Sequence, residues 1–282
     1  MTKANFISQS DAHELLGLND VSFVDASWYL PAQGRDGHAE YLKMRIPGAV
    51  FFDIDKIADP ETELPHMLPS PEIFEQHASV LGISSDHLIV VYDGPGLFSA
   101  PRVWWTFKVM GASDVRILSE GFDSWKSNDL PIETGNPNPP LARIYHADFR
   151  PEEVVSRQEV IQAQNNPKTV ILDARPNPRF RGAAAEPRPG LRSGHIPGSK
   201  SLPFDQVMNG NQLKSPEELD QLFSAMGIGK DRPVVTSCGS GVTAAVLALA
   251  LNETGRENVR LYDGSWADWG LPDGPEIETD DS

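Results

Sequence analysis

The sequence contains a single cysteine, Cys238, in 282 residues. One thiol excludes an intramolecular disulfide and any metal site built from several cysteines. No apolar run approaches the roughly 20 residues needed to cross a bilayer. The start of the chain, Met1-Thr2-Lys3-Ala4-Asn5-Phe6-Ile7-Ser8, has no basic-then-apolar signal region. A cytoplasmic location with no membrane partner is therefore expected. Positive charge is also scarce, with 24 Lys and Arg against 40 Asp and Glu and a net charge of −16. This balance argues against nucleic acid or an anionic membrane as a partner. It also requires that an anionic substrate be drawn in by a local positive patch. The remaining composition, 39 % apolar and 23 % charged, is that of a globular protein long enough for two ordinary domains.

The lone cysteine sits where a thiol would be placed for chemistry. Pro233-Val234-Val235-Thr236 reads as a short buried strand, and Ala244 to Leu251 has helical composition with no breaker. Between them runs Ser237-Cys238-Gly239-Ser240-Gly241-Val242-Thr243. The thiol is thus predicted on a strand-to-helix turn, where two glycines let backbone N–H groups curl inward and the positive end of the helix dipole faces the sulfur. Such a setting favours the thiolate, which is the nucleophile. An inert core cysteine is the commoner fate of a single Cys, but it needs no glycines on its C-terminal side.

The chain also repeats itself at an offset of about 145 residues. Val21-Ser22-Phe23-Val24-Asp25-Ala26 matches Thr169-Val170-Ile171-Leu172-Asp173-Ala174, and Arg45-Ile46-Pro47-Gly48-Ala49 matches His195-Ile196-Pro197-Gly198-Ser199. Ile89 to Gly94 matches Pro233 to Gly239 up to a one-residue slip, and Val115 to Leu118 matches Val259 to Tyr262. Two copies of this length are too few and too long for a solenoid. Within each copy, Val/Ile-rich strands alternate with helix-like stretches such as Pro71 to Leu81 and Pro216 to Met226. This alternation predicts an α/β fold with a parallel sheet covered on both faces. Gly135-Asn136-Pro137-Asn138-Pro139-Pro140 can form neither a helix nor a central strand. The expected organisation is a first domain over 1–135, a linker over 136–154 and a second domain over 155–282. Asp93 stands at the position of Cys238 in the first copy, followed by Gly94-Pro95-Gly96. A carboxylate cannot carry sulfur and proline removes a loop N–H, so the second copy is the catalytic candidate.

Five arginines, Arg175, Arg179, Arg181, Arg188 and Arg192, lie in a stretch opposed only by Glu186. The stretch is rich in proline and glycine and is predicted to be a surface loop. It is either a solvated charge run or a site for a small anion, since guanidinium binds carboxylate bidentately. The repeat places it after the first strand of the catalytic copy, and loops at strand carboxyl ends gather around the ligand crevice of parallel sheets.

Taken together, these residues resemble the two-domain rhodanese, or sulfurtransferase, family from about residue 5 to 275. Cys238-Gly239-Ser240-Gly241-Val242-Thr243 matches the loop form of 3-mercaptopyruvate sulfurtransferases, whereas thiosulfate sulfurtransferases of the family carry basic residues just after the cysteine. Further matches are Asp25-Ala26-Ser27-Trp28-Tyr29-Leu30-Pro31, His66-Met67-Leu68-Pro69, Ser99-Ala100-Pro101-Arg102-Val103-Trp104-Trp105, Arg179-Phe180-Arg181-Gly182 and Tyr262-Asp263-Gly264-Ser265-Trp266. The resemblance implies tandem rhodanese-like domains, each a mostly parallel sheet with helices on both faces. It implies sulfur transfer from 3-mercaptopyruvate through a Cys238 persulfide cradled by the N–H groups of Gly239 through Thr243, including Gly241 and Val242. The acceptor is a thiol, such as reduced thioredoxin, or cyanide, and no metal or organic cofactor is implied. Arg179 and Arg188 correspond to the pair that grips the substrate, and a serine–histidine–aspartate relay falls on Ser240, His66 and Asp55. In that relay the N-terminal copy supplies two of the three members. A lone His in a Pro-flanked loop is more often structural, and His195 is read as structural because its counterpart is Arg45.

Three other functions fit the residues less well. A thiosulfate:cyanide sulfurtransferase would place cations in the loop, and Gly239-Ser240-Gly241 offers none. A cysteine phosphatase needs an arginine six residues after the cysteine, where this chain has Ala244. A non-catalytic sulfur-binding or interaction module predicts a damaged cysteine loop, and only the first copy looks damaged.

Overall fold

The computed structural model describes residues 4–280. The chain divides into two compact units. The first comprises the chain up to Pro60 together with Leu68–Arg150, and the second comprises Glu61–Met67 together with the chain from Pro151 onward.

In the first unit the strands are β1 (Phe6–Ile7), β2 (Val21–Asp25), β3 (Val50–Phe51), β4 (Leu88–Tyr92) and β5 (Asp114–Leu118). They form one sheet in the order β1-β5-β4-β2-β3, with every pairing parallel. The helices are α1 (Gln9–Glu14), α2 (Gly37–Lys43), α3 (Pro71–Val80), α4 (Ala100–Val109) and α5 (Gly121–Ser127). Helix α3 starts where Ser70 caps the N–H of Ile73 and Pro71 takes the first helical position, where its missing N–H costs nothing.

In the second unit the strands are β6 (Val154–Val155), β7 (Val170–Asp173), β8 (Lys200–Ser201), β9 (Met208–Asn209), β10 (Gln212–Leu213), β11 (Val234–Ser237) and β12 (Val259–Tyr262). The main sheet runs β6-β12-β11-β7-β8, again parallel throughout, and β9 and β10 form a separate antiparallel hairpin. Its helices are α6 (Arg157–Gln164), α7 (Asn177–Phe180), α8 (Pro216–Ala225), α9 (Val242–Glu253) and α10 (Ser265–Trp269). The two sheets share one strand order, as the sequence repeat implies. Helix α9 is apolar on all sides and buried over almost its whole length, as such a helix must be. Among the described residues, no helix is long and apolar enough to cross a membrane.

The stretch expected as a linker does not hang free up to residue 154. Residues 136–150 lie along the first unit, where the N–H groups of Arg143, Tyr145, Ala147 and Arg150 bond to Ser79 O, Ser79 Oγ, Glu75 Oε1 and Val109 O. Tyr145 packs edge-on against Phe74. Prolines keep this segment extended, and an extended strap satisfies its donors on the helices it crosses.

Candidate active site

Cys238 follows β11 at the carboxyl end of the second sheet, and α9 begins four residues later. The turn is made by Gly241, whose φ of 78° is left-handed and favours glycine. The loop is clamped from the start of α10. Ser265 Oγ accepts from the N–H groups of both Cys238 and Gly241 at 3.1 Å and donates to Tyr262 O at 2.8 Å. The N–H groups of Trp266 and Ala267 donate to Cys238 O and Gly239 O, each at 2.9 Å. Ser265 is fully buried with φ 48°, a backbone strain that its hydrogen bonds hold in place. Among the described residues, no protein acceptor takes the N–H of Gly239, Ser240 or Val242. With Thr243 in the first turn of α9, they form a cradle of donors on the positive end of the helix.

The structure sorts the five arginines, and the expectation that the whole stretch is a surface loop fails at two places. Residues Asn177–Phe180 form the single helical turn α7. Arg175 is buried, bonded to Asp173 (Nη2–Oδ2 2.6 Å), Glu186 Oε1 (2.9 Å) and Gly194 O (2.8 Å), with its guanidinium 4.1 Å over the Trp266 ring. The sequence hides this because Asp173 lies in the strand before the arginine run. Arg192 bonds to Trp269 O and Pro275 O, and Arg181 pairs with Asp280, so both bind the C-terminal segment. Only Arg179 and Arg188 face the cysteine loop. Their Nη2 and Nη1 atoms lie 3.2 and 3.9 Å from where a Cβ on Gly239 would sit. A side chain there would crowd both guanidinium groups. Arg179 is held by a two-point pair with Glu186, and Arg188 Nη2 donates to Ser240 Oγ at 3.3 Å. The group Asp173, Arg175, Arg179 and Glu186 has zero formal charge, and Arg188 is a further guanidinium beside the loop.

Of the relay residues, Ser240 and His66 meet. His66 Nδ1 is 3.1 Å from Ser240 Oγ, and His66 is buried with φ 62°. The sequence repeat assigns His66 to the first copy, but Glu61–Met67 groups with the second unit. Asp55 belongs to the first unit, where its Oδ2 accepts from Trp28 Nε1 at 2.9 Å. His195 bonds to Phe180 O at 2.9 Å through Nδ1 and stacks on the Phe180 ring, a structural role. Two residues that shape the site carry no signal of that role in the sequence. In the sequence Glu186 is only a counter-charge to the arginine run, whereas in the structure it orients Arg179. Ser265 sits inside the quoted Tyr262-Asp263-Gly264-Ser265-Trp266 motif, but nothing in the motif says where its hydroxyl points.

The rhodanese-like domain pattern matches residues 8–128 and 156–271. The chain is 44 % identical over 252 residues to the 3-mercaptopyruvate sulfurtransferase of Escherichia coli K12, covering 89 % of each chain. It is 40 % identical to the mitochondrial thiosulfate/3-mercaptopyruvate sulfurtransferase 1 of Arabidopsis thaliana, over 97 % of this chain and 78 % of that one. The crystal structure of SseA from Escherichia coli, described as a 3-mercaptopyruvate sulfotransferase of rhodanese fold, superposes with a TM-score of 0.85 at 40 % identity, covering 94 % of this chain and 99 % of that one. With both halves matched and relatives of this identity aligned over most of its length, the chain belongs to the rhodanese family, as a two-domain member among the sulfurtransferases.

Proposed function

We propose that the protein transfers sulfane sulfur from 3-mercaptopyruvate to a thiol or cyanide acceptor through a Cys238 persulfide. The observation that carries this reading is the pair Arg179 and Arg188 at the Gly239 edge of the cysteine loop, with no cation inside the loop itself. A substrate whose carboxylate lies remote from its sulfur fits that division. The Cys238 thiolate attacks the donor sulfur, an S–S bond forms, and the C–S bond breaks with its electron pair going to carbon. The leaving enolate takes up a proton and departs as pyruvate. The acceptor thiolate then attacks the outer sulfur, which restores the Cys238 thiolate; cyanide would leave as thiocyanate. In this reading the N–H groups of Gly239, Ser240, Val242 and Thr243 cradle the persulfide. Gly241 contributes conformation, since its own N–H is held by Ser265.

Ser240 Oγ lies between Arg188 and His66, so it can accept from the guanidinium while donating to His66 Nδ1. In the proposed cycle this hydroxyl exchanges the proton that accompanies donor thiol and enolate. Asp55 enters the relay on the family resemblance. Asp55→Asn should lower kcat at unchanged KM if it takes part, and unchanged kcat removes it. Reduced thioredoxin is the proposed protein acceptor; turnover of its thiols with mercaptopyruvate as donor tests it, and turnover no faster than with a simple thiol would exclude it.

A second reading, thiosulfate as an additional donor, is favoured by the Arabidopsis relative that carries both donors in its name. Kinetics with the two donors separate the readings. Arg188→Ala or Arg179→Ala should lower kcat/KM for mercaptopyruvate by roughly 10- to 150-fold, the value of a charge-assisted contact of about 1.5–3 kcal/mol. Wild-type preference for thiosulfate, or intact mercaptopyruvate turnover in both variants, would refute the assignment.

A further inference from the structure

The end of the first sheet strand differs between the units in one residue of consequence. Asp25-Ala26-Ser27 stands in the first unit where Asp173-Ala174-Arg175 stands in the second. Arg175 fills its surroundings with four contacts: the Asp173 carboxylate, the Glu186 carboxylate, the Gly194 carbonyl and the Trp266 ring. Each has a counterpart in the first unit. Asp25 pairs in register with Tyr92 as Asp173 does with Ser237. Glu40 forks Arg35 through Nε and Nη2 as Glu186 forks Arg179. Met44 precedes Arg45 as Gly194 precedes His195, and Arg45 and His195 make matching bridges to Glu133 and Glu278. The Phe122 N–H donates to Asp93 O as the Trp266 N–H donates to Cys238 O.

These four counterparts, Asp25, Glu40, Met44 and Phe122, line one cavity of about 220 Å³. Ser27 lies on its wall and does not fill it, because its N–H donates to Asp25 Oδ1 (2.9 Å) and its Oγ accepts from Gly94 N–H (3.1 Å). The cavity opens to solvent at Glu40, whose side chain is 39 % exposed where that of Glu186 is 2 % exposed. A buried carboxylate with no cation beside it is held neutral or draws one in. Burial raises Asp25 to about 7, against weaker lowering by Ser27 and Tyr92.

We propose that this cavity binds a small organic cation whose guanidinium or primary ammonium head takes the place that the Arg175 side chain takes in the second unit. The Asp25 carboxylate and an aromatic face suit such a head, and Glu40, which already holds Arg35, can share an oxygen with it as Glu186 shares Oε1 between Arg175 and Arg179. The wall and rim also carry Arg35, Lys43 and Lys126, the last paired with Asp123 at 2.8 Å, and these cations attract an anionic group at the outer end of the ligand. A carboxylate behind the cationic head suits them, which is the chemistry of a free basic amino acid. The site lies in the non-catalytic unit, so the proposal stands independently of the sulfur-transfer reading.

The test uses L-arginine as probe, with full-length protein and amide NMR. Saturable shifts confined to residues 25–44, 94 and 122–126 are expected, with agmatine, which lacks the carboxylate, binding more weakly. Asp25→Asn keeps the acceptor for the Ser27 N–H and should weaken L-arginine by about tenfold or more, the loss of one charge-assisted contact. Ser27→Arg supplies the absent side chain and should both abolish binding and raise the melting temperature. No saturable shift in wild type overturns the proposal. So does undiminished binding in Asp25→Asn, or in Ser27→Arg should the asparagine variant not fold.

Discussion

The Asp93 loop and the Cys238 loop occupy the same place in two like sheets and use their backbone donors in opposite ways. In the first, the Asp93 carboxylate takes the N–H groups of Gly96 (2.5 Å), Phe98 (2.9 Å), Ser99 (2.7 Å) and Ala100 (2.9 Å). In the second, the loop side chain is a thiol that accepts none of these bonds, and Ser265 holds two donors from outside. The outer clamp is shared, since Phe122 and Asp123 N–H donate to Asp93 O and Gly94 O as Trp266 and Ala267 do to Cys238 O and Gly239 O. Yet the position of Ser265 is Gly121 in the first unit, where a Cβ would come within 2.5 Å of Gly96 Cα. The first loop runs seven residues, 93–99, against four in the second, 238–241. A carboxylate thus consumes loop donors that, around the thiol, have no protein acceptor. One loop is closed by its own side chain and the other is held from outside.

The comparison breaks most sharply at the thiol. Cys238→Ser is nearly isosteric and should fold normally while turnover with mercaptopyruvate falls below about one hundredth of wild type. Mass spectrometry after incubation with the donor should show one added sulfur, roughly 32 Da, on wild type and none on the variant. Turnover above that level would mean that another group carries sulfur.

The next largest effect concerns the buried acids Asp25 and Asp173, of which only the second has a guanidinium partner. Asp25 titrates near 7 in the folded protein, chiefly because of burial, against 3.8 for an ordinary aspartate. The folded state therefore binds the Asp25 proton more tightly than the unfolded state does. Its contribution is fully present below about pH 4, declines as pH rises, and is gone above about pH 7. Asp25→Asn removes this dependence. The stability difference, variant minus wild type, should grow by roughly 2–4 kcal/mol between pH 4 and pH 8 in urea melts. A difference flat with pH would show that Asp25 is ionised throughout.

A smaller effect is expected at Ser265. Ser265→Ala leaves the N–H groups of Cys238 and Gly241 without their acceptor, at about 1–2 kcal/mol. That should appear as a drop in kcat of roughly tenfold at unchanged KM for the donor. Ser265→Gly relaxes the φ of 48° and should lose activity all the same, because the hydroxyl is what holds the loop. Full activity in both variants would reduce Ser265 to a packing residue. The smallest effect sharpens the comparison by its absence. Asp93→Cys should gain no second persulfide, because Pro95 and the longer loop do not rebuild the cradle. Two added sulfurs per chain would refute that asymmetry.

Much of this was legible in residue order. The repeat, the strand-to-helix turn at Cys238 and the position of β12 follow from local composition, because apolar period, glycine and proline act over a few neighbouring residues. The predicted helix over Pro71 to Leu81 is observed as Pro71–Val80, and the one over Pro216 to Met226 as Pro216–Ala225. Boundaries were less legible where a segment binds something distant. Residues 136–150 follow the first unit because their donors find acceptors there, and His66 goes with the second because Glu61–Met67 does.

By itself the sequence determined a two-copy α/β protein with its one cysteine on a strand-to-helix turn of the second copy. Only the tertiary structure decided which arginines of a run of five are structural. Arg175 is neutralised by a strand residue and a loop residue, whereas Arg179 and Arg188 turn to Gly239. Identical guanidinium groups differ only in what lies within a few ångströms of them, and folding decides this, since it turns Arg175 back onto Asp173 and Glu186 and under Trp266 while bringing Gly239 to Arg179 and Arg188. The same reason hides the hydroxyl of Ser265 and the cavity beside Ser27. Each is defined in part by residues that the sequence places tens of positions away, Cys238 and Gly241 for Ser265, and Gly94 and Phe122 for the cavity.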